Sequence, residues 1–129
     1  LGDHAKAADW PACGEIDIVE TVGHKPDLIF ASVHTAERNH VKRNQWSKEY
    51  SAKHGEWHTY SLDWTDEFLA FGVDGKEYYR VKREEPWPFG RPHQLIISLA
   101  VGGTWGGEKG VDDSVFPARL EVEPVRWRK

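Results

Sequence analysis

The stretch Glu67-Phe68-Leu69-Ala70-Phe71-Gly72-Val73-Asp74-Gly75-Lys76-Glu77-Tyr78-Tyr79-Arg80-Val81 reads as a β-hairpin. Apolar and aromatic runs flank Asp74-Gly75, a pair favoured where a tight turn needs positive φ at both central residues. Upstream, from Trp57 to Trp64, His58, Tyr60, Leu62 and Trp64 alternate with Trp57, Thr59, Ser61 and Asp63, the period-2 pattern of a half-buried strand. Downstream, Leu95 to Val101 (LIISLAV) is a continuous apolar run and reads as a central strand covered on both faces. From Arg119 the alternation returns with Leu120 and Val122 against Glu121 and Glu123, then shifts after Pro124 to Val125 and Trp127, as at a bulge or sheet edge. No segment offers an amphipathic helix of ten or more residues. The pattern predicts an antiparallel all-β sandwich, with Gly102-Gly103-Thr104-Trp105-Gly106-Gly107 in a rim loop.

The chain has 129 residues, the size of one ordinary domain, and a core of that size could bury roughly two-thirds of the unfolded surface. A formal net charge of -4 argues against a nucleic-acid footprint, which needs a clustered basic face. No run reaches the length of a membrane helix, and no signal peptide opens the chain. The single cysteine, Cys13, excludes an internal disulfide and reads as a small buried hydrophobe. Most of the seven tryptophans are assigned to the core, although flat apolar faces with a polar edge also suit sugar-binding clefts.

The segment that carries chemistry is Gly14-Glu15-Ile16-Asp17-Ile18-Val19-Glu20. Its β-branched residues mark a strand. Alternation puts Glu15 and Asp17 on one face and Ile16 and Ile18 on the other. Strict alternation would send Glu20 into the apolar face, so a β-bulge at Ile18-Val19 is predicted to return it to the side of the other two acids. An acidic solvent-facing strand explains such a pattern as well. Crowded carboxylates, however, push one another to different pKa values, as acid/base chemistry requires. Retaining glycoside hydrolysis needs two carboxyl groups about 5–5.5 Å apart, and two long glutamates leaning inward around a shorter aspartate fit that requirement.

From Trp10 to Glu20, Trp-Pro-Ala-Cys-Gly-Glu-Ile-Asp-Ile-Val-Glu resembles the signature of glycoside hydrolase family 16, in the bulged form of its laminarinase-like members, the endo-β-1,3-glucanases. Four further stretches resemble the family in order: Ala31-Ser32-Val33-His34-Thr35 with Asn39-His40; Trp57 to Trp64 with Phe71 to Gly75; Leu99 to Gly107; and Val111 to Pro117. The resemblance implies a concanavalin A-like jelly-roll sandwich and retaining hydrolysis of β-1,3-glucan or mixed β-1,3/1,4-glucan. It implies Glu15 as nucleophile, Glu20 as acid/base and Asp17 as the residue that holds and tunes the pair. Trp10, His34, Asn39 and Trp105 become candidate substrate-binding residues. From spacing alone, His34 reads as a satisfied core histidine and the two tryptophans as core. The resemblance also implies a secreted or extracellular setting and no organic cofactor. Agar, carrageenan and xyloglucan are substrates of similar members, so the polysaccharide stays open.

The likeness covers nearly the whole chain but only the C-terminal half of the family's catalytic domain. Residues 1–129 are therefore expected to be a partial domain, completed by a homo-oligomer or strand-exchanged dimer. A sandwich that binds carbohydrate without cleaving it, or an inactive truncated fragment, is the alternative. Glu123 stands where some members place an aspartate that helps bind a structural calcium, a weak candidate because calcium takes six or more oxygens. The seven histidines, His54 and His58 among them, make no tetrahedral set by spacing, and no catalytic metal is expected. Light scattering of the 129-residue chain should read a mass above that of one chain, and a well-folded monomer would remove the expectation of self-association.

Overall fold

The computed structural model describes residues 1–3 and 9–128. The chain divides into two compact units, Leu1–Leu95 and Ile96–Lys129. The first holds two three-stranded antiparallel sheets. One is ordered β1 (Glu15–Glu20), β2 (Leu28–His34), β3 (Trp46–Ser51), and the other β4 (Tyr60–Trp64), β5 (Phe68–Val73), β6 (Lys76–Lys82). The sandwich reading holds.

The sheets meet through the residues that alternation turns inward. Ala31 and Val33 of β2 pack with Leu69 and Phe71 of β5, Val81 of β6, and Trp87 and Phe89 beyond it. Ile16, Trp46, Leu62 and Trp64 close the rim of this cluster. Ile29, Ala52 and Val73 form a second cluster, flanked by Val19, Tyr50 and Tyr60. Burial of side chains the size of Phe71, Leu69 and Val33 stabilises by about 1.5–3 kcal/mol each.

The hairpin forms around Asp74 (φ 51°) and Gly75 (φ 81°), both left-handed as the primed turn demands. β6 carries one extra residue at Tyr78, because Phe71 pairs with Tyr79 but Gly72 with Glu77. β4 turns Tyr60, Leu62 and Trp64 inward and leaves Ser61 and Asp63 exposed, as the alternation predicts; it begins at Tyr60, and Trp57 lies outside it, exposed. At the tip of the hairpin, His58 Nδ1 lies 2.7 Å from Asp74 Oδ2 and Nε2 lies 3.1 Å from the Lys53 carbonyl. Both ring nitrogens face acceptors, and the bond to Asp74 is the main cause of its raised pKa.

Two expected strands are absent. Residues 95–101 and 119–127 have no strand pairing, and Leu95, Ile96, Ile97, Leu99, Val101, Leu120, Val122, Val125 and Trp127 are exposed. A short antiparallel contact lies just before the first of them. Asp3 N–H donates to Pro92 O (3.1 Å), Gly2 bridges His93, and Gln94 N–H donates to Leu1 O (2.8 Å). Leu95 to Val101 has no ladder partner among the described residues. A strand without a ladder partner does not form, however apolar its sequence. The tryptophans divide accordingly: Trp87 is buried, Trp46 and Trp64 pack on the core, and Trp57, Trp105 and Trp127 are exposed.

Gly14, immediately before β1, has φ +84°, and a Cβ there would stand 2.8 Å from Pro88 Cγ and 2.9 Å from Phe89 Cε1. A Gly14→Ala substitution should therefore destabilise the first unit by about 1–3 kcal/mol through strain and overlap together. The midpoint of urea unfolding reads this, and an unchanged midpoint would contradict the close approach.

Candidate active site

The β1–β2 register builds the site. Glu15 pairs with His34, Asp17 with Ser32, and Glu20 with Phe30, with a register shift between Asp17 and Glu20. Three residues on β1 thus span two on β2, which is the bulge predicted at Ile18-Val19. Ile16 and Val19 pack on the two core clusters, while Glu15, Asp17 and Glu20 stand opposite the non-core residues of β2. The buried backing of β2 follows from Ile29, Ala31 and Val33, which share the other face.

The turn before β1 supplies a donor. Ala12 and Cys13 N–H donate to Asp9 O and Gly14 N–H to Pro11 O, and Cys13 is buried, its thiol pushed up foremost by burial. This turn brings the Trp10 indole to Glu15, whose Oε2 accepts from Nε1 at 2.5 Å. Asp17 Oδ2 lies 3.2 Å from His34 Nε2. The imidazole of His40 lies 4.9 Å from the Trp10 ring and 5.3 Å, edge-on, from that of His34.

Crowding sets the protonation states. Burial, then the charge of Asp17, raises the Glu15 carboxyl, and the Trp10 donor and His34 oppose the rise. Burial, then Asp17, pushes Glu20 up to about 7, against the hydroxyl of Ser32 and the charge of His34. For His34, burial favours the neutral ring, but the hydrogen bond and charge of Asp17, with Glu15 and Glu20, outweigh it and raise the pKa. The arrangement holds a carboxyl that titrates near neutrality beside one whose charged form an indole stabilises, with the His34 ring behind them.

Residues 5–118 match the sequence pattern of Glycosyl hydrolases family 16. The chain belongs to this family. It is 42% identical over 131 residues to a Beta-glucanase of Rhodothermus marinus, an alignment covering 93% of this chain and 46% of that protein. The crystal structure of the laminarinase from Rhodothermus marinus superposes with a TM-score of 0.82 at 41% identity, over 86% of this chain and 49% of that one. SCLam, described as a non-specific endo-beta-1,3(4)-glucanase from family GH16, gives 0.80 at 44% identity, over 86% and 44% of the two chains. The chain thus spans about half the length of the family 16 proteins it matches. Their likeness extends to the jelly-roll sandwich, of which the two sheets are a part.

The candidate residues fall in three places. Glu15, Asp17, Glu20, Trp10 and His34 come together. Asn39 is buried under the following loop, where its amide donates to Thr35 O and Ala36 O and its oxygen accepts from Lys42 N–H; these bonds hold the loop that presents His40. Trp105 and Glu123 lie in the unit Ile96–Lys129. Among the described residues, no group of three or more His, Cys, Asp or Glu side chains is gathered for a metal ion, and Glu123 is exposed. Sequence reasoning named neither Ser32 nor Ser47 as a site residue and gave His40 no role. A serine within a strand carries no pattern signal, but β-pairing with Asp17 would have pointed to Ser32 once the register was assigned.

Replacing Asp17 by Asn removes a charge that raises both Glu20 and His34. The Glu20 midpoint should fall below about 7 and the His34 midpoint should fall with it. Carboxyl-carbon and imidazole-proton NMR titrations read both, and an unmoved Glu20 would show that Asp17 does not control it.

Proposed function

We propose that this chain is the carboxylate-bearing part of a retaining endo-hydrolase acting on β-1,3-glucan or mixed β-1,3/1,4-glucan. The observation that carries the reading is the bulged register that sets Glu15, Asp17 and Glu20 on one face, with Glu20 pushed up to about 7. Glu15, its charged form favoured by Trp10, attacks the anomeric carbon and forms a glycosyl-enzyme ester. Glu20, protonated below about pH 7, gives its proton to the departing glycosidic oxygen. Glu20, now a carboxylate, takes a proton from water as that water attacks the anomeric carbon and releases Glu15. Asp17 and His34 hold the pair and divide its charge. Trp10, lying beside the nucleophile, supplies an aromatic face for a sugar ring. Names of glucan hydrolases among its relatives support the substrate class, and a polymer of that size implies a secreted setting; no described helix is long and apolar enough to cross a membrane.

A reading without cleavage is separated by assay. Reducing-sugar release from a soluble β-1,3-glucan should appear with the parent chain and drop by about a thousandfold or more in Glu15→Gln. The rate should fall as pH rises through about 7, because the proton that Glu20 donates is then lost. Equal rates in parent and variant, or a profile flat from about pH 5 to 9, would overturn the role assignment. Glucan binding with no release by the parent would favour the binding reading.

A further inference from the structure

Three aromatic rings, of Trp10, His34 and His40, gather at the Glu15 end of β1, and His40 takes no part in the proposed proton transfers. The His40 ring lies 4.9 Å from that of Trp10 with 31° between the planes, and 5.3 Å from that of His34 at 80°. Rings so nearly parallel at 4.9 Å overlap in the offset-stacked manner, since rings side by side in one plane would stand further apart. The contact with His34 is edge to face. His40 thus covers one face of the indole that donates to Glu15 and abuts the imidazole that lies 3.2 Å from Asp17. Ser32, the next outward residue of β2, is engaged with Ser47 of β3 instead, their hydroxyl oxygens 3.2 Å apart. The loop that carries His40 is built to hold it. Asn39 is buried and uses both ends of its amide, on Thr35 O and on Lys42 N–H, each at 3.1 Å. Its backbone N–H donates to Asn44 Oδ1, and the His40 carbonyl accepts from Arg43 N–H at 3.1 Å. Arg38 lies over Trp46 and pairs with Glu84, and Lys42 reaches Ala36 O and Glu37. The imidazole is therefore the group this loop brings to the indole.

We infer that His40 is a positioning residue for the nucleophile: stacked on Trp10, it holds the indole in the tilt at which Nε1 donates to Glu15. A hydrogen bond weakens steeply once its donor turns away from the acceptor, and a flat neighbour against the indole face limits that turning. His40 is exposed, so burial of its own side chain does not account for the placement; the ring contact does. It acts through Trp10, and a sugar ring can then stack only on the indole face that His40 leaves open. The other groups that act on Glu15 are Asp17, which raises its pKa, and His34, which lowers it. Glu20 lies further along the strand, and the Cys13 thiol in the preceding turn feels the Glu15 charge. None of these lies against the indole face that His40 covers, so the ring at position 40 is the feature to alter.

The catalytic meaning of this inference rests on Glu15 as the nucleophile, but its test does not. NMR of the 129-residue chain follows both groups without turnover: the Trp10 indole proton reports the hydrogen bond, and the Glu15 carboxyl carbon reports its charge. In His40→Ala the indole proton should move upfield. The Glu15 midpoint should rise by about half a pH unit, as the donor that lowers it is lost. His40→Phe, which keeps a flat ring and removes the ring nitrogens, should hold both near the parent values. Trp10→Phe should raise the Glu15 midpoint at least as far, and His40→Ala added to it should raise it no further. Amide spectra that superimpose on the parent identify variants with the fold intact. Unmoved indole and Glu15 signals in folded His40→Ala overturn the inference. A full further shift in the double variant also overturns it, because His40 would then act on Glu15 without the indole. A shift in His40→Phe as large as in His40→Ala overturns the stacking. Titrations that move as expected, in a chain that releases no sugar, support the inference and count against the proposed hydrolysis instead. In an active chain, the acid limb of the rate profile should move upward with the Glu15 midpoint, because the nucleophile must be ionised to attack.

Discussion

Asp17 and His34 face one another across β1 and β2, 3.2 Å apart, and the site depends on this contact. Three carboxylates gathered on one face, backed by a core, cannot all carry charge at little cost. The imidazole of His34 lodged behind the middle one changes that balance. Asp17, close to the ring, raises the His34 pKa, and His34 in turn restrains the rise at Glu15 and Glu20. Asp17 alone would push its neighbours up; burial alone would lower the His34 pKa. Together they leave one carboxyl poised to give a proton and the other supported by an indole.

The core places this pair. β2 is the strand on which everything converges: Ile29, Ala31 and Val33 anchor it to the opposite sheet, and Phe30, Ser32 and His34 line the carboxylates. Because the side-chain period of a strand is two, burial of the first set fixes the second. β3 stands at one end of the described sheet and pairs its exposed Lys48 with Ala31. The chemistry is thus carried by a layer that packing, not acidity, holds in register.

Much of this was legible in the sequence. The hairpin could be read because Asp74-Gly75 names its own turn, and the bulge because five positions separate Glu15 from Glu20 while the faces repeat every two. The apolar run at 95–101 misled, since hydrophobicity states that a segment can be a central strand and not that neighbours are there to pair with it. Tryptophan misled in a related way: Trp46, Trp64 and Trp87 pack on the core, yet Trp57 and Trp127 have the same chemistry and stand in solvent. The serine pair and the seat of His40 beside Trp10 depend on contacts between residues distant in sequence, and no local pattern encodes them.

The bulge has a meaning beyond parity. A regular strand one residue shorter would also place two glutamates on a common face, since four steps are as even as two. Sharing a face therefore does not by itself require the irregularity. What a plain ladder lacks is the added local twist that a bulge brings, and here that twist falls between Asp17 and Glu20. The extra residue thus acts on angle as well as on parity: it changes the direction in which the strand presents Glu20, separately from how far along the strand it stands from Glu15.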